Sequence, residues 1–315
     1  MPVPVVIVNP NSAGGKTRRQ WPRLEASIRD ALGPFQPLFT ERPGHATDLT
    51  RAALKDGADV VLSMGGDGTL NEVVNGFFTD GSPANAGGQP IRPGAAVGVL
   101  PAGTGGDFPK TTGTPRILED AARGLATAHP RTIDVGRLTF LGHDGEPCTR
   151  HFINIASFGI GGLVDRFVNQ SGKALGGKAS FFLASLRATL SWRNARVRIL
   201  LDDREADERT IYSVAVANGR YFGGGMMIAP AAELDDGAFD VVTIGDVSAT
   251  TMILHSAKIY SGAHVKLPFV TVERAKKIHA ESTRGEEVLL DVDGEQPGRL
   301  PATFEILPGA IQVLG

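Results

Sequence analysis

Two short acidic turns hold the residues best suited to chemistry. One is "SMGGDGTLNEV", residues 63–73, where Asp67 sits among Gly65, Gly66 and Gly68, just ahead of Thr69, Asn71 and Glu72. The other is "LLDVDGEQPG", residues 289–298, with Asp293 and Glu295 two apart. On an extended backbone, residues i and i+2 point to one face, so this pair would present two carboxylates together. A carboxylate beside an alcohol can take its proton, and one beside a phosphate needs a divalent cation between them. Each turn also has a plainer reading: a helix cap at Asp67 and an Asp/Gly hairpin turn at 293–294.

Asp67 follows a buried strand run, "ADVVLSM" (58–64), and precedes a helix over 69–78. In that helix Leu70, Val73, Val74 and Phe77 recur at i, i+3, i+4 and i+7. A helix N-terminus offers free N–H groups and the positive end of a dipole, which suit an anion. Asp67 would repel bare phosphate, so its presence points to Mg²⁺. A second glycine-rich loop, "LPAGTGGDF" (100–108), and a third, "NPNSAGGK" (9–16), each leave a strand. In a parallel sheet such loops gather at the carboxyl edge, where ligands bind, and three together point to a nucleotide. The first loop ends Gly15-Lys16-Thr17 as a Walker A loop does, but Pro10 stands where that pattern needs glycine.

The elements that must position these turns follow from periodicity. Strands are expected at 3–9, 35–40, 58–64 and 95–100, and helices at 18–32, 46–56, 69–78 and 115–127. Such alternation implies a parallel sheet with helices on its faces. After about 132 the texture changes to long β runs: "RTIDVGRLTF", "CTRHFINIASF", "RVRILLDD", "ERTIYSVAVANG", "GAFDVVTIGDV", "PFVTVERAKKIHAES", "EEVLLDVDG" and "TFEILPGAIQVLG". These read as antiparallel β, interrupted by helices at about 160–190 and 248–260. The expected division is an α/β domain over 1–132, with the tail 305–315 packing back, and a β-rich domain over 133–304. The stretch 79–94 reads as a polar surface loop.

Composition narrows the class. The 315 residues are 42% hydrophobic and 21% charged, with net charge −2, enough apolar material for a sizeable core. No stripe of Lys and Arg suggests nucleic acid. The single cysteine, Cys148, cannot form an internal disulfide and fits a reducing compartment. No apolar stretch reaches the roughly 20 residues that span a bilayer, and no basic-then-apolar leader opens the chain. A cytoplasmic protein is expected.

The motifs "VNPNSAGGK", "GGDGTLNEV", "LPAGTGGDF", "IDVG" and "DVDGE" together resemble, in order and spacing, the diacylglycerol kinase catalytic family, which includes bacterial lipid kinases, sphingosine kinases and ceramide kinases. "GGDGT" alone is shared with NAD kinases and phosphofructokinases; the combination is specific to lipid kinases. The resemblance implies a parallel-sheet α/β domain of the NAD kinase and diacylglycerol kinase type, followed by a mainly antiparallel β-sandwich domain. It also implies an ATP- and Mg²⁺-dependent kinase acting on a lipid hydroxyl, that of diacylglycerol, a related glycerolipid or a sphingoid base. Asn9, Pro10, Ser12, Gly14, Lys16, Thr40 and Thr104 match nucleotide-contacting positions, and Gly65, Gly66, Asp67, Gly68, Thr69, Asn71 and Glu72 match the phosphate loop. Asp293 matches the general base, with Glu295 as partner or alternative base. Asp236, with the carbonyls of Glu233 and Ala238, matches a structural Mg²⁺ site, and Asp134 an acid linked to the metal network. A β-turn at 235–237 and a polar strand end at Asp134 are the plainer readings.

One departure stands out: Gly106 occupies a position where the family has Asn. That keeps a non-catalytic, nucleotide-binding regulatory protein among the alternatives, beside an NAD kinase-like enzyme. "FINIASFGIGGLVDRF", "ASFFLASL" and "YFGGGMMIAP" could line an acceptor slot or be ordinary core. The lipid implies peripheral contact with the inner face of the membrane, and a homodimer stays open.

Overall fold

The computed structural model describes residues 3–79, 88–103, 106–170 and 177–315, with side chains given outside 169–182. The chain forms two compact units, residues 1–135 with 309–315, and residues 136–308.

In the first unit, β1 (Val5–Val8), β2 (Gln36–Phe39), β3 (Val60–Gly65) and β4 (Ala96–Pro101) run parallel in the order β2-β1-β3-β4. The end of β15 (Gly298–Leu314) adds to β4 in parallel through Gln312, Val313 and Leu314. All four residues of β1 are buried, the continuous apolar run expected of a strand covered on both faces. Three helices connect these strands, α1 (Ser12–Leu32), α2 (His45–Lys55) and α3 (Asp67–Gly76), and a fourth, α5 (Leu118–Thr127), follows β4. A fifth, α4 (Asp107–Thr112), is six residues long and lies where a plain loop is expected. Helix α1 is regular only after its first turn, because Ala13, Gly14 and Gly15 all have positive φ. The expected glycine-rich loop is therefore present as a left-handed stretch.

The second unit contains two sheets. One holds β8 (Ala195–Leu201), β9 (Asp207–Ile211), β13 (Lys277–Ser282) and β15, with β5 (Arg131–Gly142) and β6 (Pro147–Phe152) paired alongside. The other has the order β12 (Val270–Ala275), β11 (Phe239–Ile244), β10 (Ser213–Ala217), β7 (Ile155–Gly159) and β14 (Leu290–Val292), all antiparallel. Between them lies an apolar core in which Phe152 stacks on Phe239 and Phe158 on Phe304, with ring centroids 5.5 and 5.9 Å apart.

Three runs expected to be single strands each break and change sheets. Residues 148–158 break at Ile153-Asn154, 208–217 at Tyr212, and 270–282 at Lys276. Switching strands of this kind form the corners of a sandwich. Helices α6 (Ile160–Gln170), α7 (Gly177–Ser191) and α8 (Ala249–Tyr260) complete the unit.

Candidate active site

Strands β1, β3 and β4 are parallel neighbours, so the loops that leave their carboxyl ends share one edge. Named contacts tie the three loops together. Asn9 Nδ2 donates to Thr69 Oγ1 at 3.0 Å, joining the first loop to the second. The Asp67 carboxylate accepts the N–H groups of Gly106 at 2.9 Å and Asp107 at 3.2 Å, joining the second to the third. A Cβ on Gly103 would come within 2.9 Å of Gly66 Cα, so these two backbones meet where no side chain fits. A Cβ on Gly65 would overlap the Thr69 side chain. Those two glycines serve loop packing; around Gly66 the space for a Cβ is open.

Asp67 is thus a cap, but of α4 rather than of its own helix. Burial and then the Asp107 charge hold its carboxyl above the ordinary range, against the lowering effect of three backbone N–H groups. Lys110 pairs with Asp107 at 2.8 Å. Asp107 and Lys110 lie at and just past the end of the third glycine-rich loop in the sequence; only the fold brings Asp107 to Asp67.

The other nucleotide candidates divide. Ser12 is buried and bonded to Thr17. Gly14, at φ +66°, has open space where a Cβ would stand. Lys16 is exposed at the start of regular α1. Asn71 is buried, and its carbonyl and side-chain oxygen accept from Asn75. Glu72 is committed elsewhere: its oxygens accept the N–H groups of Gly44 and Ala46 at 2.9 and 3.0 Å, at the start of α2. Thr104 lies outside the described residues. Thr40 lies buried just past β2 and, with Pro10, Arg18, Trp21, Phe39 and Glu41, lines an open cavity of about 410 Å³. Trp21 meets Phe39 edge to face, centroids 5.0 Å apart. These aromatics, unforeseen from sequence, give the groove an apolar wall.

Gly106 takes φ +132° and ψ 44°, a conformation closed to residues with a Cβ. The glycine is what lets the third loop aim its N–H at Asp67. Restoring the family's residue with Gly106→Asn is therefore expected to lower turnover rather than raise it. A strain of about 1–3 kcal/mol should appear as a reduced melting temperature; a more active, equally stable variant would refute this account.

In the second unit the acidic turn is built around Asp293. Asp293 has φ +49°, and its carboxylate accepts the N–H groups of Ile153 (3.1 Å), Asn154 (3.3 Å) and Ile155 (2.9 Å). Those are the residues at which the chain leaves one sheet for the other. Glu295 is partly exposed and pairs with Arg150 at 2.7 Å. Beside them stands a carboxyl pair absent from the sequence reading. Asp291 accepts from Gly294 N at 2.9 Å and from Ser157 Oγ at 3.4 Å, and is hydrogen-bonded to Asp165 of α6. Burial, then the charge and hydrogen bond of Asp291 and the charge of Glu295, hold Asp165 well above the carboxylate range. The signal that could have found it is the "GIGG" run: a Cβ on Gly161 would sit 2.7 Å from Ser157 Oγ and 3.4 Å from Asp291 Oδ2, which lets α6 approach.

The metal expectations fare differently. Asp134 is buried, and its Oδ1 accepts Gly309 N–H at 2.8 Å, tying β5 to the last strand of its own unit. At the 232–238 loop, Asp236 accepts the N–H of Ala238 at 3.2 Å and is paired with Arg274; Glu233 is exposed. Arg274 also lies 3.8 Å from Asp240, its partner across β11 and β12. In this arrangement the Arg274 guanidinium stands on the carboxylate that would meet the structural Mg²⁺.

Two family models match this chain: the diacylglycerol kinase catalytic domain over residues 4–138, and the YegS C-terminal NAD kinase beta sandwich-like domain over 154–315. A diacylglycerol kinase of Staphylococcus haemolyticus is 29% identical over 309 residues, spanning 98% of this chain and 86% of the relative. One from Staphylococcus aureus strain MRSA252 is 29% identical over 310 residues, spanning 98% and 90%. A crystal structure of a Bacillus anthracis str. Sterne protein, assigned provisionally as a diacylglycerol kinase, matches with a TM-score of 0.74 at 26% identity, covering 99% of this chain and 96% of that one.

Proposed function

The chain belongs to the diacylglycerol kinase family, phosphotransferases acting on an alcohol group, and we propose that it moves the γ-phosphate of ATP to the hydroxyl of diacylglycerol or a related lipid. The observation that carries this reading is the tying of three glycine-rich loops at one sheet edge, through Asn9–Thr69 and Asp67–Gly106/Asp107. Loops held in this way offer N–H groups and a helix N-terminus to phosphates. The groove beside Pro10 and Thr40, walled by Trp21 and Phe39, suits a flat base.

The Asp67 carboxyl, held above the ordinary range by burial and then by the Asp107 charge, suits a hard divalent cation. Asp67 would hold Mg²⁺, which supplies neutralisation of phosphate charge. The lipid hydroxyl must lose its proton as its oxygen attacks phosphorus. That proton goes to the acidic turn, with Asp293 as the favoured acceptor and Glu295 as its partner or alternative. Asp165 and Asp291 position the turn through the bond from Gly294 N to Asp291.

The test is transfer of label from γ-labelled ATP with Mg²⁺ to micellar diacylglycerol, with a sphingoid base and NAD in separate tubes. Label in the organic phase with diacylglycerol is the expected result. Label on the sphingoid base alone would move the acceptor class. Label on NAD, or ATP binding without transfer to anything, would overturn the reading in favour of an NAD kinase or a regulatory protein.

A further inference from the structure

A buried carboxyl pair ties the acidic turn to helix α6. Asp165 of α6 and Asp291 of β14 are both buried and are hydrogen-bonded to each other. Two glycines in the first turn of α6 make this approach possible. A Cβ on Gly161 would stand 2.7 Å from Ser157 Oγ and 3.4 Å from Asp291 Oδ2, and one on Gly162 would overlap Leu289 and the Leu290 carbonyl. Asp165 follows these glycines at i+4 and i+3, so it shares their face of the helix. The start of α6 therefore rests on β14 and brings a carboxyl to the strand that leads into Asp293.

Ionised carboxylates are acceptors only, so two of them can bond to each other only if one carries a proton. Their other partners indicate which. Asp291 already accepts from Gly294 N at 2.9 Å and from Ser157 Oγ at 3.4 Å, bonds that favour its ionised form. Asp165 Oδ2 is buried, and among the described residues it meets no N–H or O–H donor. A proton on Asp165 removes a buried charge and gives it a donor for Asp291. Burial and the Asp291 charge act in the same direction, and so does Glu295 of the turn. The cations described on neighbouring elements are engaged elsewhere. Arg166 of α6 pairs with Glu287 at 3.0 Å, Arg150 of β6 with Glu295 at 2.7 Å, and the Arg187 guanidinium of α7 lies 4.5 Å from the Phe167 ring centroid.

We propose that Asp165 is a positioning residue that works only while it keeps this proton: α6 holds Asp291, Asp291 holds the Gly294 N–H, and the Asp293–Glu295 turn stays fixed while both bonds last. The inference rests on the lipid kinase reading above. Once the proton leaves, two carboxylates face each other in a buried space, and the helix and the turn are pushed apart. Asp293 must lose a proton to act and Asp165 must keep one, so turnover should fall on both sides of a pH window.

The test follows kcat of the full chain with ATP and diacylglycerol against pH, in the wild type, Asp165→Asn and Asp165→Leu. Asparagine keeps a donor for Asp291 and cannot ionise; leucine keeps the bulk and loses the bond. Asp165→Leu should lose about tenfold to a hundredfold in kcat, with KM for ATP unchanged. Asp165→Asn should restore most of that loss and lack the wild-type decline toward high pH. The amide resonance of Gly294, which needs no turnover, should shift as pH rises in the wild type and stay fixed over the same range in Asp165→Asn.

Wild-type kcat in Asp165→Leu would overturn the proposal. So would an alkaline decline that persists unchanged in Asp165→Asn, or a wild-type Gly294 amide that ignores pH. If the leucine variant does not fold, the asparagine variant and the amide resonance still decide. If the amide titrates as expected while no lipid is phosphorylated, the kinase reading falls and the proton link between α6 and the turn stands.

Discussion

Replacing Asp67 by asparagine is expected to cut turnover by about a thousandfold while leaving the protein folded. The carboxylate does two things at once. It accepts the N–H groups of Gly106 and Asp107, and it sits buried beside the Asp107 charge. Asparagine keeps one oxygen to accept an N–H but removes the charge. The loss of an acceptor, about 1 kcal/mol net, is offset by relief of burial and repulsion, so the melting temperature should move little. The alanine variant leaves both N–H groups without their partner and should also lose stability.

The pH dependence gives an independent check. Asp67 is raised above 3.8 in the folded protein, so the folded state binds its proton more tightly than the unfolded state. Its contribution is therefore most favourable at low pH and declines as pH rises from 3.8 through the raised value. Urea melts at a series of pH values should show this decline in the wild type and a flatter curve in Asp67→Asn. Wild-type turnover in the asparagine variant would remove Asp67 from the chemistry and leave it as a cap.

The contrast between what was legible and what was not follows the range of the interactions. The α/β half could be read because each strand is a buried apolar run and each helix shows its 3.6-residue stripe, both local signals. The three glycine loops were visible for the same reason. What joins them was not: Asp67 bonds to residues about forty positions away, and Glu72 to the start of α2 twenty-eight positions back. In the β half, strands were visible but their breaks were not. "CTRHFINIASF" contains no Gly or Pro, and nothing local marks Ile153-Asn154 as the corner where it changes sheets. The corner is made by a carboxylate 138 to 140 residues further on. Asp165 and Asp291 stayed hidden because a lone Asp on a helix reads as surface until the partner strand is in place. At the 232–238 loop the motif was visible, but the arginine on a neighbouring strand that pairs with Asp236 was not.

Asp293 is where the two kinds of information meet, and alanine there is expected to cost most. Three N–H groups at the Ile153–Ile155 corner would lose their acceptor, at about 1–3 kcal/mol for each one left buried and unpaired. Most of the stability of an ordinary domain could be consumed by that one change. Loss of turnover in Asp293→Ala therefore cannot by itself assign a role to the carboxylate. Asparagine separates the roles, since its single oxygen can still accept from the corner but cannot take a proton from an alcohol at neutral pH. Asp293→Asn should fold, bind ATP with near wild-type affinity and lose about a hundredfold to ten-thousandfold in kcat. Glu295→Gln, at a partly exposed position held by Arg150, should lose less. If Asp293→Asn keeps full turnover and Glu295→Gln loses it, Asp293 is the pin of the corner and Glu295 the base. A fold that needs a carboxylate at this corner would then have kept the motif for its architecture and placed the proton acceptor two residues further along the same turn.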